Sequence, residues 1–352
     1  MERAWLVVCL VALLPLLQAG EDEVQLTSPD ANLAGSVTIN GAKFEVSSQG
    51  VKQSFSFGRI KTLVFDTDQN DPDWISGQRS FWDGKWNYCY DRMTGVMRLI
   101  EGGQEFRPMC VPFAYYYYAL SAGKTGHADT SAQYFTQLFA MKEFTKTHPL
   151  YSEALGQSAL LLVSTGKLDA AAGLIPKLKE ADPSMGNYVA AEVALAKNDL
   201  DGATAAFTAL ATSTDAAMKA RAMMGSTRVA IAKKDFDGAA SNAKGAIAGA
   251  KGDDLIQSDA QYYLGVALQS KAATGKNDDE KAALLQQASM AFMRVIAVYG
   301  NSSDKRILAA DGAIACFDKL GAFQQRLDSL KGIPFGKYSS KIKQWKGAQG
   351  AN

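Results

Sequence analysis

Two periodicities divide the chain. In SVTINGAKFEV, residues 36–46, apolar Val37 and Ile39 alternate with polar neighbours up to Asn40-Gly41, and Phe44 and Val46 continue the alternation beyond it. A period of two puts alternate side chains on one face of a strand, and Asn-Gly supplies the positive φ angles of a type I′ turn. The stretch therefore predicts a β-hairpin. Ser54-Phe55-Ser56-Phe57 and Ile60-Lys61-Thr62-Leu63-Val64-Phe65 add one or two strands. The resulting β unit, residues 24–68, is too small to bury much surface alone and is expected to lean on the helical part of the chain.

From about residue 72 the apolar positions recur every three or four residues, the spacing of one helix face. The runs fall in pairs around a repeated corner: GKLDAAAGLIPKL at 166–178, NDLDGATAAFTAL at 198–210 and KDFDGAASNAKGAI at 234–247. Leu168, Leu200 and Phe236 recur at intervals of 32 and 36 residues, and Gly84-Lys85-Trp86 with Cys89 is a more divergent copy. Each corner has an apolar helical run on both sides, so the unit is a helical hairpin, and about seven fit between residues 72 and 333.

Asp199 and Asp201 together look like a carboxylate pair for a metal or for acid/base work. Their recurrence argues otherwise, because a catalytic pair has no reason to return in every hairpin. Asp169, Asp199, Asp201 and Asp237 are read as corner residues that cap the following helix and favour the positive end of its dipole.

The spacing resembles the tetratricopeptide repeat, in which a small residue of the first helix meets an Ala twelve positions on. A large apolar residue follows four later and a small or apolar one three after that. Ala191, Ala203, Phe207 and Leu210 fit, as do Ala159, Ala171, Ile175 and Leu178, with Pro183 where such repeats often end. Gly77, Cys89, Met93 and Val96 fit loosely, and Leu264-Gly265 opens a late copy carrying Ala288, Phe292 and Val295. Thr227 and Ala243 depart from the pattern, KAATGKNDDEK lengthens one corner, and 107–149 keeps only the outline. The resemblance covers roughly three quarters of the chain and implies a mainly α solenoid, preceded by the small N-terminal β unit, that acts as an adaptor.

Charge changes little: 37 lysines and arginines balance 36 aspartates and glutamates, which gives no general case for nucleic acid or acidic lipid. Residues 1–20 stand apart. Arg3, the apolar run AWLVVCLVALLPLL and then Gln18-Ala19-Gly20 describe a secretory signal. An uncleaved anchor is the other reading, against which the shortness of the run counts, since a span needs about 20 residues. Without that segment Cys89, Cys110 and Cys316 remain. They are either a Cys89–Cys110 disulfide plus one thiol or three buried thiols.

Catalytic and metal motifs are missing. His127 and His148 are the two histidines, with no HExxH or CxxC, so no zinc site of the usual ligands is expected, and no cofactor. Gly123-Lys124-Thr125 lacks the first glycine of a phosphate loop, whose place is taken by Tyr118. The overlapping SxxK and KTG at 121–126 lie too close together for a β-lactamase-like site. No nucleophile with a base and an orienting partner can be assembled.

Aromatic residues carry the functional expectation. Trp74, Phe81 and Trp82 precede Tyr115, Tyr116, Tyr117 and Tyr118, and four successive rings sweep most of a helix circumference. Either some of them line the concave groove that first helices form in such solenoids, or they cover the junction of the β unit with the first hairpins. The tail at 334–352, with Lys337, Lys341, Lys343, Lys346, Ile342 and Trp345, is either an anionic-surface contact or a solvated cap on the last hairpin. The sequence thus points to an exported, periplasmic or secreted, non-enzymatic scaffold that holds a protein or peptide partner. The alternative is a cell-envelope module engaging glycan or lipid.

Overall fold

The computed structural model describes residues 21–27, 30–48, 50–66, 71–250, 253–299, 305–324 and 335–349. The signal-like segment 1–20 lies outside them. Five strands, β1 (Asp22–Thr27), β2 (Asp30–Asn40), β3 (Lys43–Ser48), β4 (Val51–Ser56) and β5 (Ile60–Val64), form an antiparallel sheet of order β4-β3-β2-β1-β5. Pairing of Val37 with Val46 and Ile39 with Phe44 is the register the alternation requires. The turn differs in detail. Asn40 ends β2 opposite Lys43, so the two-residue loop is Gly41-Ala42, with positive φ at Gly41 and not at Asn40. Asn40 Nδ2 instead donates to Glu45 Oε1 at 2.7 Å.

Among the described residues, fourteen helices come next in seven consecutive pairs. They are α1 (Pro72–Trp82) with α2 (Trp86–Glu101), α3 (Val111–Lys124) with α4 (Ala128–Ala140), α5 (Tyr151–Ser164) with α6 (Leu168–Ala181) and α7 (Pro183–Ala196) with α8 (Leu200–Leu210). The remaining pairs are α9 (Ala216–Ala232) with α10 (Phe236–Gly249), α11 (Asp254–Ala273) with α12 (Asp278–Ala297) and α13 (Arg306–Gln324) with α14 (Phe335–Gln349). The lysine-rich tail is thus the second helix of the seventh hairpin. Ile342 is buried, Ser339 donates to Asp318 at 2.6 Å, and Lys343 and Lys346 pair with Asp318 and Asp311.

The corners explain themselves residue by residue. Gly84, Gly126, Gly166, Asn198 and Lys234 each take a positive φ in the middle of a three-residue link. The next N–H reaches back five residues, as from Asp199 to the Ala194 carbonyl at 2.9 Å, which closes the first helix. Asp199 then opens the second by accepting from Gly202 N at 2.9 Å, and Asp235 does the same for Gly238. Gly202 and Gly238 let the carboxylate sit close, because a Cβ at either would stand 2.2 Å from it and turn it aside.

Three of the four expected caps therefore have another role. Asp169, Asp201 and Asp237 lie one step inside their helices and reach across to Lys197, Lys233 and Lys271 of the next hairpin. The first two pairs measure 2.8 Å. Each pair puts an acid at the start of one helix and a lysine near the end of another, where both helix dipoles favour them. Hydrogen bonding and proximity to the lysine lower the pKa of Asp169 and Asp201.

The sheet is fastened to the solenoid through one buried carboxylate. Asp22 accepts from Val37 N at 2.8 Å, Asp66 N at 2.9 Å, and both terminal nitrogens of Arg107 at 2.6 and 3.1 Å. Gln78 of α1 exchanges hydrogen bonds with the Phe65 backbone, and Trp82 Nε1 donates to the Leu63 carbonyl at 2.6 Å. One apolar core runs from Val24 of β1 through Trp74 to Ala154 of α5. Cys89, Cys110 and Cys316 are free and buried, and burial pushes each thiol up to about 12, so the three-thiol reading describes the structure.

Two stability measurements test these contacts. Replacing Arg107 with Met leaves Asp22 buried without its cation, and urea denaturation is expected to show a loss of about 3–5 kcal/mol; a loss below about 1 would mean that Arg107 does not hold the sheet. His148, buried between Phe113 and Phe144, accepts from Leu150 N through Nδ1 and leaves Nε2 without a partner. Burial lowers its pKa to about 4. The unfolded chain then takes up the proton first, so the His148 contribution is complete above pH about 6.5 and falls by about 3 kcal/mol as the pH drops toward 4. The stability difference between wild type and His148→Gln should change across that window, and a constant difference would refute it.

Candidate functional site

The aromatic residues lie in the core. Trp74, Phe81, Tyr116, Tyr117 and Tyr118 are buried, and Trp82 and Tyr115 are half-buried. Tyr117 packs on Phe81 at 4.3 Å between centroids, Phe113 on Phe65 at 4.7 Å, and Tyr118 stacks on Tyr90 at 5.3 Å. The four tyrosines do sweep around α3. However, α3 is enclosed by α1, α2, α4 and α5, and its Phe113 touches Phe44 and Phe65 beside the sheet. The rings therefore cover the junction of sheet and first hairpins and do not form an accessible groove. Tyr115, beside Tyr134, is the one member of the run with partial exposure.

The accessible inner surface lies further along. Successive first helices pack on one another, α1 on α3 and onward to α13, whereas among the described residues no successive pair of second helices packs as closely. The closer row forms the inner side of the curve. Arg221 on α9 acts electrostatically on Tyr116 of α3 and Tyr188 of α7, both of which are buried beneath that side.

Polar groups concentrate on this side. Arg221 and Arg228 are seven residues apart, two helical turns, and share one face of α9. Arg228 pairs with Glu192 of α7, whose side chain is 8% exposed against 25% for the arginine. Burial disfavours the Arg228 charge, but Glu192 more than compensates and its pKa is raised. Its Nε remains without a partner. Burial raises Tyr116, Tyr188 and Tyr263 above the usual phenol range, so they stay neutral hydroxyls. Arg221 is half-buried and makes no hydrogen bond or ion pair with the described residues. A guanidinium held this way presents a planar set of donors suited to a carboxylate or phosphate.

Of these residues sequence reasoning singles out only Tyr116, and then as part of the aromatic run. The available signal is the seven-residue spacing of Arg221 and Arg228 within an Ala- and Met-rich helix, and Glu192 one repeat interval before Arg228. No cluster of three His, Cys, Asp or Glu residues arranged to hold a metal occurs among the described residues. Nor is any described helix long and apolar enough to cross a membrane.

No protein-family model matches the sequence, and no curated protein sequence is similar to it. Among solved structures, a monomeric mutant of IFIT1 with Gppp-AAAA superposes with TM-score 0.47 at 11% identity, over 72% of this chain and 57% of that one. The human IFIT1 dimer with m7Gppp-AAAA gives TM-score 0.47 at 11% identity, over 73% and 59%. This chain thus spans under two thirds of the IFIT1 length. A tetratricopeptide repeat protein from Parabacteroides merdae gives TM-score 0.39 at 11% identity, over 77% of this chain and 95% of that one. The fold, an α-solenoid of TPR-like helical hairpins behind a five-stranded antiparallel sheet, rests on its own repeat geometry.

Proposed function

We propose that the chain is an exported, non-enzymatic scaffold that binds a protein or peptide partner along the inner face of its first helices, with an acidic group of the partner on Arg221. The half-buried guanidinium without an internal partner carries this reading. A partly desolvated cation without a direct ion pair, even with Glu153 and Glu192 around the same tyrosines, gains more from an incoming carboxylate than a fully solvated one does. The neutral hydroxyls of Tyr116 and Tyr188, though buried, set the polarity around it without competing for its charge. A solenoid of stacked hairpins offers an extended concave surface for such contacts. The glycan or lipid alternative has less support, since Lys343 and Lys346 of α14 already face Asp318 and Asp311.

Affinity capture from the exported fraction tests the inner face. Arg221→Met should keep its helical circular dichroism yet recover at least fivefold less of the partner captured by wild type. An unchanged recovery would remove Arg221 from the site. Export is tested separately by fusing residues 1–20 to a reporter enzyme. The reporter should appear outside the cytoplasm with the segment removed, and retention inside the cell would refute export.

A further inference from the structure

A cleft of about 400 Å³ lies between α8, α9 and α10. It is distinct from the inner face. Its α9 lining includes Lys219 and Ser226, each two positions from Arg221 and Arg228 respectively, and two positions turn a helix by about 200°. The cleft therefore opens on the opposite side of α9 from the guanidiniums.

Its lining is mainly apolar surface studded with side chains that can hydrogen bond. Lys219 forms no hydrogen bond or ion pair with the described residues, and Asp215, one turn earlier, is committed to capping α9. The side chains of Thr208, Ser226 and Asn242 likewise make no internal hydrogen bond, and Met223 and Val229 supply apolar floor. At the other end Lys233 is already held by Asp201 at 2.8 Å and Thr204 at 3.0 Å. Asp235, which caps α10 through one oxygen, adds a second carboxylate there beside Asp201.

Lys219 and Lys233 are fourteen positions apart, a rise of about 21 Å along α9. An extended chain covers that length with about six residues. We propose that this cleft is a second peptide-binding site, taking an extended segment of about six residues with an acidic side chain on Lys219 and a basic one beside Asp201 and Asp235. The opposed end charges fix the direction of the segment, and the hydroxyls and amide between them meet its backbone. The site stands independently of the inner-face reading, because it uses none of the same side chains.

Fluorescence polarisation on the full chain decides it. The probes are labelled Asp-Ser-Ala-Thr-Ala-Lys, the reversed Lys-Ala-Thr-Ala-Ser-Asp, and a neutral control with Asn and Gln at the ends. One of the two charged peptides should bind at least tenfold tighter than the neutral one. Lys219→Gln should cost about tenfold, and Ser226→Leu, which fills the cleft, should abolish binding while circular dichroism and thermal midpoint stay near wild type. Arg221→Met should leave the affinity unchanged. The proposal is overturned if neither charged peptide saturates or if binding survives both cleft substitutions. It is equally overturned if binding disappears with Arg221→Met, which would assign it to the inner face.

Discussion

Asp22 presents its two oxygens to the Val37 and Asp66 amides and to both ends of the Arg107 fork, and is itself almost wholly buried. Those donors come from the second strand, the chain leaving the fifth, and the approach to α3. Arg107 also reaches the carbonyls of Val37 and Asp66 at 3.2 Å, so the guanidinium and the carboxylate satisfy one another's surroundings as well as each other. A buried charge is costly unless fully partnered, and the two Arg107 donors that complete the shell of Asp22 are in place only when sheet and helices are docked. The aromatic core of Phe44, Phe65, Phe113 and Tyr117 assembles against that fixed joint. The sheet is therefore the end-piece of the solenoid and not a separate module.

Beyond the joint, stacking proceeds by repetition. The corners at Gly84, Gly126, Gly166, Asn198 and Lys234 use a left-handed residue to end one helix, and Asp199 and Asp235 use a carboxylate to begin the next. Phe207 and Phe292 then drive into glycines of the adjoining first helices: an added Cβ at Gly225 would stand 2.3 Å from the Phe207 ring, and at Gly265 and Gly312 2.6 Å from that of Phe292. Small residues opposite large ones let the helices approach closely and lock their register. The Asp–Lys pairs between hairpins are exposed and act as guides to spacing more than as sources of stability.

The repeat is legible in the sequence because its signals are local: apolar spacing, corner residues and interval all lie within a few tens of positions. The hairpin at Asn40-Gly41 is legible for the same reason, though Gly41-Ala42 forms the actual loop. β1 is not, because DEVQLT comes directly after the signal-like segment, nor is α14, whose only large apolar side chains are Phe335, Tyr338, Ile342 and Trp345 among lysines and serines. A helix circumference alone turns some of the aromatic rings outward, but it says nothing of how many neighbours enclose that helix. The cross-hairpin roles of Asp169, Asp201 and Asp237 are hidden for a related reason, since their partners lie 28 to 34 residues away. The inner face depends on the curvature of the whole row. No stretch of sequence states that Glu192 and Arg228 pair across two hairpins with Arg221 on the same face of α9.

Asp199 belongs to two helices at once, closing α7 through its amide and opening α8 through its carboxylate. A corner built on one shared residue has no hinge, so the hairpins joined at Asp199 and Asp235 behave mechanically as rigid plates. Adjustment of superhelical pitch is left to the longer joints between plates, such as the stretch 141–150 ahead of α5, because Asp182 closes α6 and opens α7 in the same hinge-free way. The molecule is in that sense a chain of stiff leaves on unequal springs. Its compliance is concentrated between hairpins, where the lengths of the connections and not the repeats themselves set how far the inner face can open.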